Sequence, residues 1–420
     1  MSGSKAFELS GTSIILLFVI TACSGGGGGG NSNKVEDGAS ITAVSCTTTV
    51  NDSVDNSPNA WTRIHSENNG NPEYYSMQLA RQSTITTSNP ISIDYMVHPS
   101  VGTAKALLVL IAGGALDAGI TGANTVPPSA PTTAGGNFVV RSAHLFAAQG
   151  YKVLTVDRPS DFDDYLNGST AGYLYDTYRQ SVAHAVDLSE VINTVNETDN
   201  LPVILVGTSR GAISAVLQYQ LAAALALSSP VTTGNATPVS NTLADKVTIP
   251  VQLSWHTKDG CGVTKPADNK VVLDEFPEAV GVAISGGFSN PGADVCNGDS
   301  YHGFPGIESC AVQQTTDWIA KLEQLQKSRP LATAQNTFTG ADTLANIDLA
   351  GAASASNGGN LTYALPFATT SLGGTISISG TLVTYTPPPG ISGLNDTFAY
   401  IVKEQNGGSA NNIVSVTINP

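Results

Sequence analysis

The chain has 420 residues, more than one ordinary domain holds; 41% are hydrophobic and only 12% charged, so core is plentiful and the surface relies on Ser, Thr, Asn and Gly. Lys and Arg number 18 against 33 Asp and Glu, a formal net charge of −15. Such a chain gains nothing from counterion release on a phosphate backbone, which argues against nucleic acid as a partner.

At the N-terminus, Lys5 precedes the apolar run Ile14-Ile15-Leu16-Leu17-Phe18-Val19-Ile20. A bilayer span takes about 20 residues, so this run has the length of an export-signal core instead. Ile20-Thr21-Ala22-Cys23 resembles the bacterial lipobox. That resemblance implies a lipoprotein signal peptide over 1–22 and a lipid on Cys23 that anchors the protein to a membrane of the bacterial cell envelope. Ser24, where retained lipoproteins carry Asp, resembles the outer-membrane sorting class. The six consecutive glycines that follow make 23–34 a flexible tether. With Cys23 set aside, Cys46, Cys261, Cys296 and Cys310 remain, an even number suited to an oxidising compartment. Four cysteines allow three pairings.

Residues 35–88 are polar and turn-rich and read as an extension packed on the main domain. Ile91-Ser92-Ile93-Asp94-Tyr95-Met96-Val97 alternates as a half-buried strand. Ala106-Leu107-Leu108-Val109-Leu110-Ile111-Ala112 is apolar throughout, as in a strand covered on both faces. A helix is expected over 139–149, ended by Gly150, then a strand over 151–157, a long helix over 173–195 and a strand over 203–206. The next helix starts at Ser209 and continues through an Ala/Leu-rich stretch to about Leu227. Strands over 250–256 and 280–285 and a closing helix over 312–326 complete residues 35–330. Alternation of strand and helix predicts an α/β domain, a mostly parallel sheet with helices on both faces.

Composition changes after Pro330. Residues 331–420 hold short strand-like runs between turn signals, the pattern of a small all-β sandwich. Tyr385-Thr386-Pro387, Asp396-Thr397-Phe398-Ala399-Tyr400 and the terminal Val416-Thr417-Ile418 resemble bacterial Ig-like or cadherin-like repeats.

Gly207-Thr208-Ser209-Arg210-Gly211 matches the G-x-S-x-G elbow, set between an apolar strand and a helix. Small residues on either side of Ser209 let strand and helix approach, and the helix N-terminus favours developing negative charge. A serine hydroxyl needs a general base, and the base needs an acid to orient it. In this strand–elbow–helix arrangement the chain order is Ser, then Asp or Glu, then His. Beyond Ser209 lie only His256, which ends a strand, and His302, in the polar loop Asp299-Ser300-Tyr301-His302-Gly303. His302 is the expected base. Asp259, just past the strand ending at His256, is the expected acid, with Asp274 and Asp294 as fallbacks. For the oxyanion hole the donors are the N–H of Arg210 and one from Ala115 or Leu116, after Gly113-Gly114. Of the three cysteine pairings, the expected one is Cys261–Cys296, which would tie the acid loop to the histidine loop, with Cys46–Cys310 then fastening the extension to the start of the last helix.

Arg210 has two readings, a contact to a substrate carboxylate or a structural ion pair. The acids of Asp157-Arg158-Pro159-Ser160-Asp161 either orient it or solvate their loop. The loop over 115–136 is a candidate pocket wall.

Strand, elbow, acid and histidine together resemble the α/β-hydrolase family over 91–327. The resemblance implies acyl-enzyme hydrolysis, first of all of a carboxylic ester, possible polymers included. The alternatives are a peptidase or amidase with the same triad, or a surface adhesion or scaffold lipoprotein with a dormant hydrolase fold. No long lid insertion lies between the middle strands. With neither a metal-ligand cluster nor a phosphate-binding loop in view, no cofactor is implied.

Overall fold

The computed structural model describes residues 40–47, 72–84, 90–120, 136–169, 171–234, 238, 239, 242 and 244–420. The expected signal peptide over 1–22, Cys23, the tether over 23–34 and most of the loop over 115–136 lie outside the described residues. Among the described residues no helix is long and apolar enough to cross a membrane.

In chain order the first part carries β1 (Ser40–Ser45), β2 (Glu73–Gln78), β3 (Ser92–His98), β4 (Leu107–Ile111), α1 (Phe138–Arg141), α2 (Ala143–Ala148) and β5 (Lys152–Pro159). There follow α3 (Tyr175–Arg179), α4 (Val182–Asn196), β6 (Val203–Thr208), α5 (Arg210–Leu217), β7 (Ala224–Ser228), β8 (Val251–His256), α6 (Asn269–Asp274), β9 (Ala279–Ser285) and α7 (Glu308–Ile319). The nine strands form one sheet in the order β1-β9-β8-β7-β6-β4-β5-β3-β2. Pairing is antiparallel from β2 through β3 to β5 and parallel across the rest.

Both faces of this sheet are dry. Along β4, Leu107, Val109 and Ile111 enter one core with Ala183 and Leu188 of α4 and Ala212 and Ile213 of α5. Leu108 and Leu110 enter the opposite core with Val139 of α1, Phe146 of α2 and Val312 and Ile319 of α7. Side chains alternate across a strand, so a strand apolar at every position needs a helix layer on each side.

Five elements depart from the sequence reading, among them the closing helix, which runs over 308–319 and not 312–326. The extension contributes edge strands: β1 pairs with β9 and β2 with β3. The helix expected over 139–149 breaks at Ser142, and the one over 173–195 breaks between α3 and α4, where Ser181 caps α4 by accepting from His184 N. The helix from Ser209 stops at Leu217, and the rest of its Ala/Leu run is β7, buried at every residue. Such a run satisfies helix and buried-strand patterns equally.

Two devices fasten the N-terminal segments. Cys46, whose N–H extends the β1–β9 ladder to Ser285 O, is disulfide-bonded to Cys310 of α7. Arg81 is buried and grips two carboxylates, Asp161 after β5 (2.6 and 2.7 Å) and Asp187 of α4 (2.6 and 2.8 Å). Removing one member of such a buried set strands the others, at a cost of about 3–5 kcal/mol.

The second part is a β-sandwich: β10 (Leu331–Ala332), β11 (Gln335–Gly340), β12 (Ala345–Asp348), β13 (Ala353–Ser354), β14 (Leu361–Ala364), β15 (Thr375–Ser379), β16 (Leu382–Thr386), β17 (Leu394–Glu404) and β18 (Ser409–Asn419). Sheets β11-β18-β17-β14 and β12-β16-β15 enclose Val383, Tyr385, Phe398, Tyr400, Val414 and Val416. The sandwich is docked rather than pendant, because β17 and β18 lie on α4. Ser189 of α4 donates to Asn411 Oδ1 (2.6 Å), and Asn395 N donates to Gln82 Oε1 (2.7 Å). That docking explains why α4 is buried nearly all round.

Candidate active site

β6 runs buried to Thr208, and the chain then turns sharply into α5. Ser209 takes φ +53° and ψ −120°, a left-handed backbone that a side chain resists. Its N–H is held by Ser228 O at the end of β7 (2.9 Å). The flanking glycines are required by contact: a Cβ on Gly207 would sit 2.3 Å from Gly211 O, and one on Gly211 would sit 2.1 Å from Ile111 O. Ser209 is half-buried at the N-terminus of α5, and the Arg210 N–H has no partner within the helix.

The structure brings Asp259 and His302 together. Asp259 follows β8 by three residues, and its Oδ2 accepts from His302 Nδ1 at 2.9 Å. Both side chains are buried, Asp259 fully. The carboxylate is further satisfied by Cys261 N on Oδ1 (2.9 Å) and by Thr264 Oγ1 on Oδ2 (2.9 Å). Thr264 Oγ1 also lies 3.2 Å from His302 Nδ1, so it packs into the corner between acid and base. His302 occupies a single 3-10 turn, Tyr301–Gly303, whose cap is Ser300: its Oγ accepts from His302 N (3.2 Å). A disulfide joins Cys261 to Cys296, tying the loop after Asp259 to the segment that leads into this turn.

Ser209 joins this pair through the backbone. Ser228 accepts its N–H, and the next residue, Ser229, donates its hydroxyl to His302 O (3.0 Å). The Ser209 hydroxyl makes no hydrogen bond to His302 among the described residues; catalytic hydrogen bonds of this kind often tighten only when substrate is bound.

Other expected residues fall elsewhere. The fallback acids serve neighbours: exposed Asp274 pairs with Lys270 (3.1 Å) and Asp294 accepts from Cys296 N (2.9 Å). His256 has both ring nitrogens engaged, Nε2 with Gly286 O (2.9 Å) and Nδ1 with Lys258 N (3.0 Å), and it stacks on Tyr301 (4.6 Å between centroids). Burial lowers its pKa, keeping it a neutral support for the His302 turn. Arg210 pairs with Asp176 of α3 (2.8 Å) and not with Asp157 or Asp161. Asp157 instead accepts from Ala118 N, Ile120 N and Arg158 N, and Asp161 belongs to Arg81. Leu116 N donates to Gly113 O (3.1 Å), which removes it as an oxyanion donor and leaves Ala115 of the expected pair.

The sequence reading passed over several supports. Thr264 and Ser229 are two. Arg141 is a third: it reaches Gly136 O and Gly303 O and pairs with Glu308 (2.9 Å), while Glu308 Oε2 accepts from Gly306 N (2.8 Å). This pins the chain just beyond His302. Among the described residues no group of His, Cys, Asp and Glu is arranged to hold a metal ion.

Strand order, two-sided helix layers and an elbow after the central strand define an α/β-hydrolase fold, here followed by a bacterial Ig domain. Residues 327–417 match the family profile described as a bacterial Ig domain. Solved structures similar to the chain include a cold-adapted esterase from an Arctic intertidal metagenomic library (13% identity, TM-score 0.38, covering 59% of this chain and 91% of that one). Another is a CIB-like hydrolase from Thermoplasma acidophilum (14% identity, TM-score 0.35, 60% of this chain and 100% of that one). A third is Est1E from Butyrivibrio proteoclasticus (13% identity, TM-score 0.36, 59% and 98%). A comparison with curated protein sequences finds no match.

Proposed function

We propose that the protein is a serine hydrolase that cleaves carboxylic esters through an acyl-enzyme on Ser209. The observations that support this reading are a strained Ser209 at a helix N-terminus and a buried, hydrogen-bonded Asp259–His302 pair, linked to each other through Ser228 and Ser229. In this mechanism His302 Nε2 takes the Ser209 proton as Oγ attacks the ester carbonyl. Asp259 holds Nδ1–H, fixing the tautomer and stabilising the imidazolium that forms. The N–H groups of Arg210 and Ala115 receive the oxyanion, His302 returns the proton to the leaving alcohol, and water repeats the sequence to release the acid. The Ig domain leaves a polymeric ester within reach as substrate class.

The decisive experiment is fluorophosphonate labelling followed by a panel of nitrophenyl esters and peptide anilides. The expected result is labelling and ester turnover, both lost in Ser209→Ala. Turnover of anilides but not esters transfers the reading to an amidase; an unlabelled, inactive wild type removes it. We further propose export and lipid anchoring at Cys23, supported by Ile20-Thr21-Ala22-Cys23. Palmitate incorporation that persists in Cys23→Ala would overturn that part.

A further inference from the structure

The loop that leaves β4 crosses directly in front of the nucleophile: a Cβ on Gly113 would lie 3.0 Å from Ser209 Cβ and 2.9 Å from Thr208 O. Behind this loop sits Arg179, the last residue of α3 and among the largest fully buried side chains. Its Nη1 donates to Ser214 Oγ on α5 (2.8 Å). Its Nη2 faces three successive carbonyls, Ala112 O (3.0 Å), Gly113 O (3.3 Å) and Gly114 O (3.1 Å). No carboxylate is among these partners. Burial pulls the guanidinium down to about 9, so it stays cationic at neutral pH.

Three carbonyl oxygens converging on one point repel one another unless a cation collects them. In a planar trans peptide the N–H points opposite to the C=O. The carbonyls of Ala112, Gly113 and Gly114 share their planes with the N–H groups of Gly113, Gly114 and Ala115. Drawing the oxygens to Arg179 therefore turns those N–H groups to the other side of the loop. Gly114, at φ +53°, has no side chain to hold the plane in the absence of that cation. A flipped Gly114–Ala115 plane would present an oxygen where a donor is needed.

We propose that Arg179 is a positioning residue that presets the oxyanion loop, fixing the Gly114–Ala115 peptide so that the Ala115 N–H acts with that of Arg210. The Ser214 bond ties this cation to the nucleophile helix, so one side chain sets the loop and the elbow relative to each other. The inference rests on the acyl-enzyme reading above.

The test uses the full chain carrying Arg179→Met or Arg179→Lys, assayed below the measured melting temperature of each. Removing one oxyanion donor lowers kcat by about 10²–10³-fold, and Arg179→Met should approach the lower figure with KM nearly unchanged. Affinity for a trifluoromethyl ketone, which forms the tetrahedral adduct, should fall in the same proportion. Arg179→Lys should recover part of both losses, since an ammonium still collects some of the carbonyls. A purely structural role predicts a lower melting temperature with kcat and ketone affinity intact, and that result in either variant overturns the inference. Should Arg179→Met fail to fold, the Lys variant decides on the same readouts. An active wild type with unaffected variants sinks this inference alone; an inactive, unlabelled wild type sinks the acyl-enzyme reading and takes this inference with it.

Discussion

Gly211→Ala probes how closely the nucleophile helix and the central sheet must meet. The added Cβ would lie 2.1 Å from Ile111 O and 3.0 Å from Ala112 O, where ordinary contact begins at 3.4 Å. Both oxygens belong to backbone, so no side chain can swing aside; α5 and β4 must part by about 1 Å to regain contact distance. The movement falls on both halves of the site at once, because Gly211 is two residues past Ser209 and Ile111 leads into the loop proposed to hold the oxyanion. A misplacement of about 1 Å costs on the order of 10²-fold in rate, and forced overpacking costs about 1–3 kcal/mol. The expected variant is folded, destabilised by that amount in urea unfolding, and about 10²-fold slower in nitrophenyl ester hydrolysis. Gly102→Ala, in the exposed turn before β4, is the matched control. It meets no atom within 4 Å among the described residues and bears only the cost of its left-handed φ, about 1 kcal/mol. Wild-type turnover and stability in Gly211→Ala would show that helix and strand do not need this approach, and the elbow argument would fail.

Asp259→Asn should keep the fold but place an amide nitrogen where His302 Nδ1–H and the Thr264 hydroxyl need an acceptor, forcing the wrong tautomer; kcat is expected to fall by about 10⁴-fold. A loss under tenfold in stopped-assay kinetics would remove Asp259 from the triad. Glu190 gives a pH signature. Burial pushes its carboxyl from 4.5 up to about 7, against the opposing bonds from Ala80 N to both oxygens. A folded pKa above the unfolded one means its contribution is complete below pH 4.5 and is lost as pH rises through 7, up to about 3 kcal/mol. Glu190→Gln lacks this loss, so urea unfolding across pH 4.5 to 8 should show the variant gaining on wild type. Parallel stability curves would contradict the assignment.

The frame of the molecule was legible wherever one residue pattern had one physical solution. The all-apolar run of β4 needs cover on both faces, and the structure supplies two separate cores for its alternate side chains. The run after α5 had two solutions. Ala and Leu suit a helix as well as a strand sealed between β6 and β8, and only its place in the sheet decides. The edge strands β1 and β2 were hidden for the opposite reason: they are mostly exposed, so they carry little apolar signal, and β1 finds its partner β9 only far along the chain.

The site divides along the same line. The elbow is local: its glycines and serine lie within five residues, and each is demanded by a contact or a dihedral there. Asp259 and His302 could be paired from the sequence because chain order and strand ends restrict where an acid and a base can stand, and the structure places them within hydrogen-bond distance. Their supports are not restricted in that way. Thr264 meets His302 across 38 residues, Ser229 meets it across 73, and Arg179 meets Gly114 across 65. For Ser229 and Arg179 the acceptor is backbone, which carries no side-chain identity, so no pairing of residue types marks the contact in advance. A buried arginine with a carboxylate partner can at least be sought among the acids of the sequence. Arg179, which gathers carbonyls, becomes visible only when the loop it holds is already folded around it.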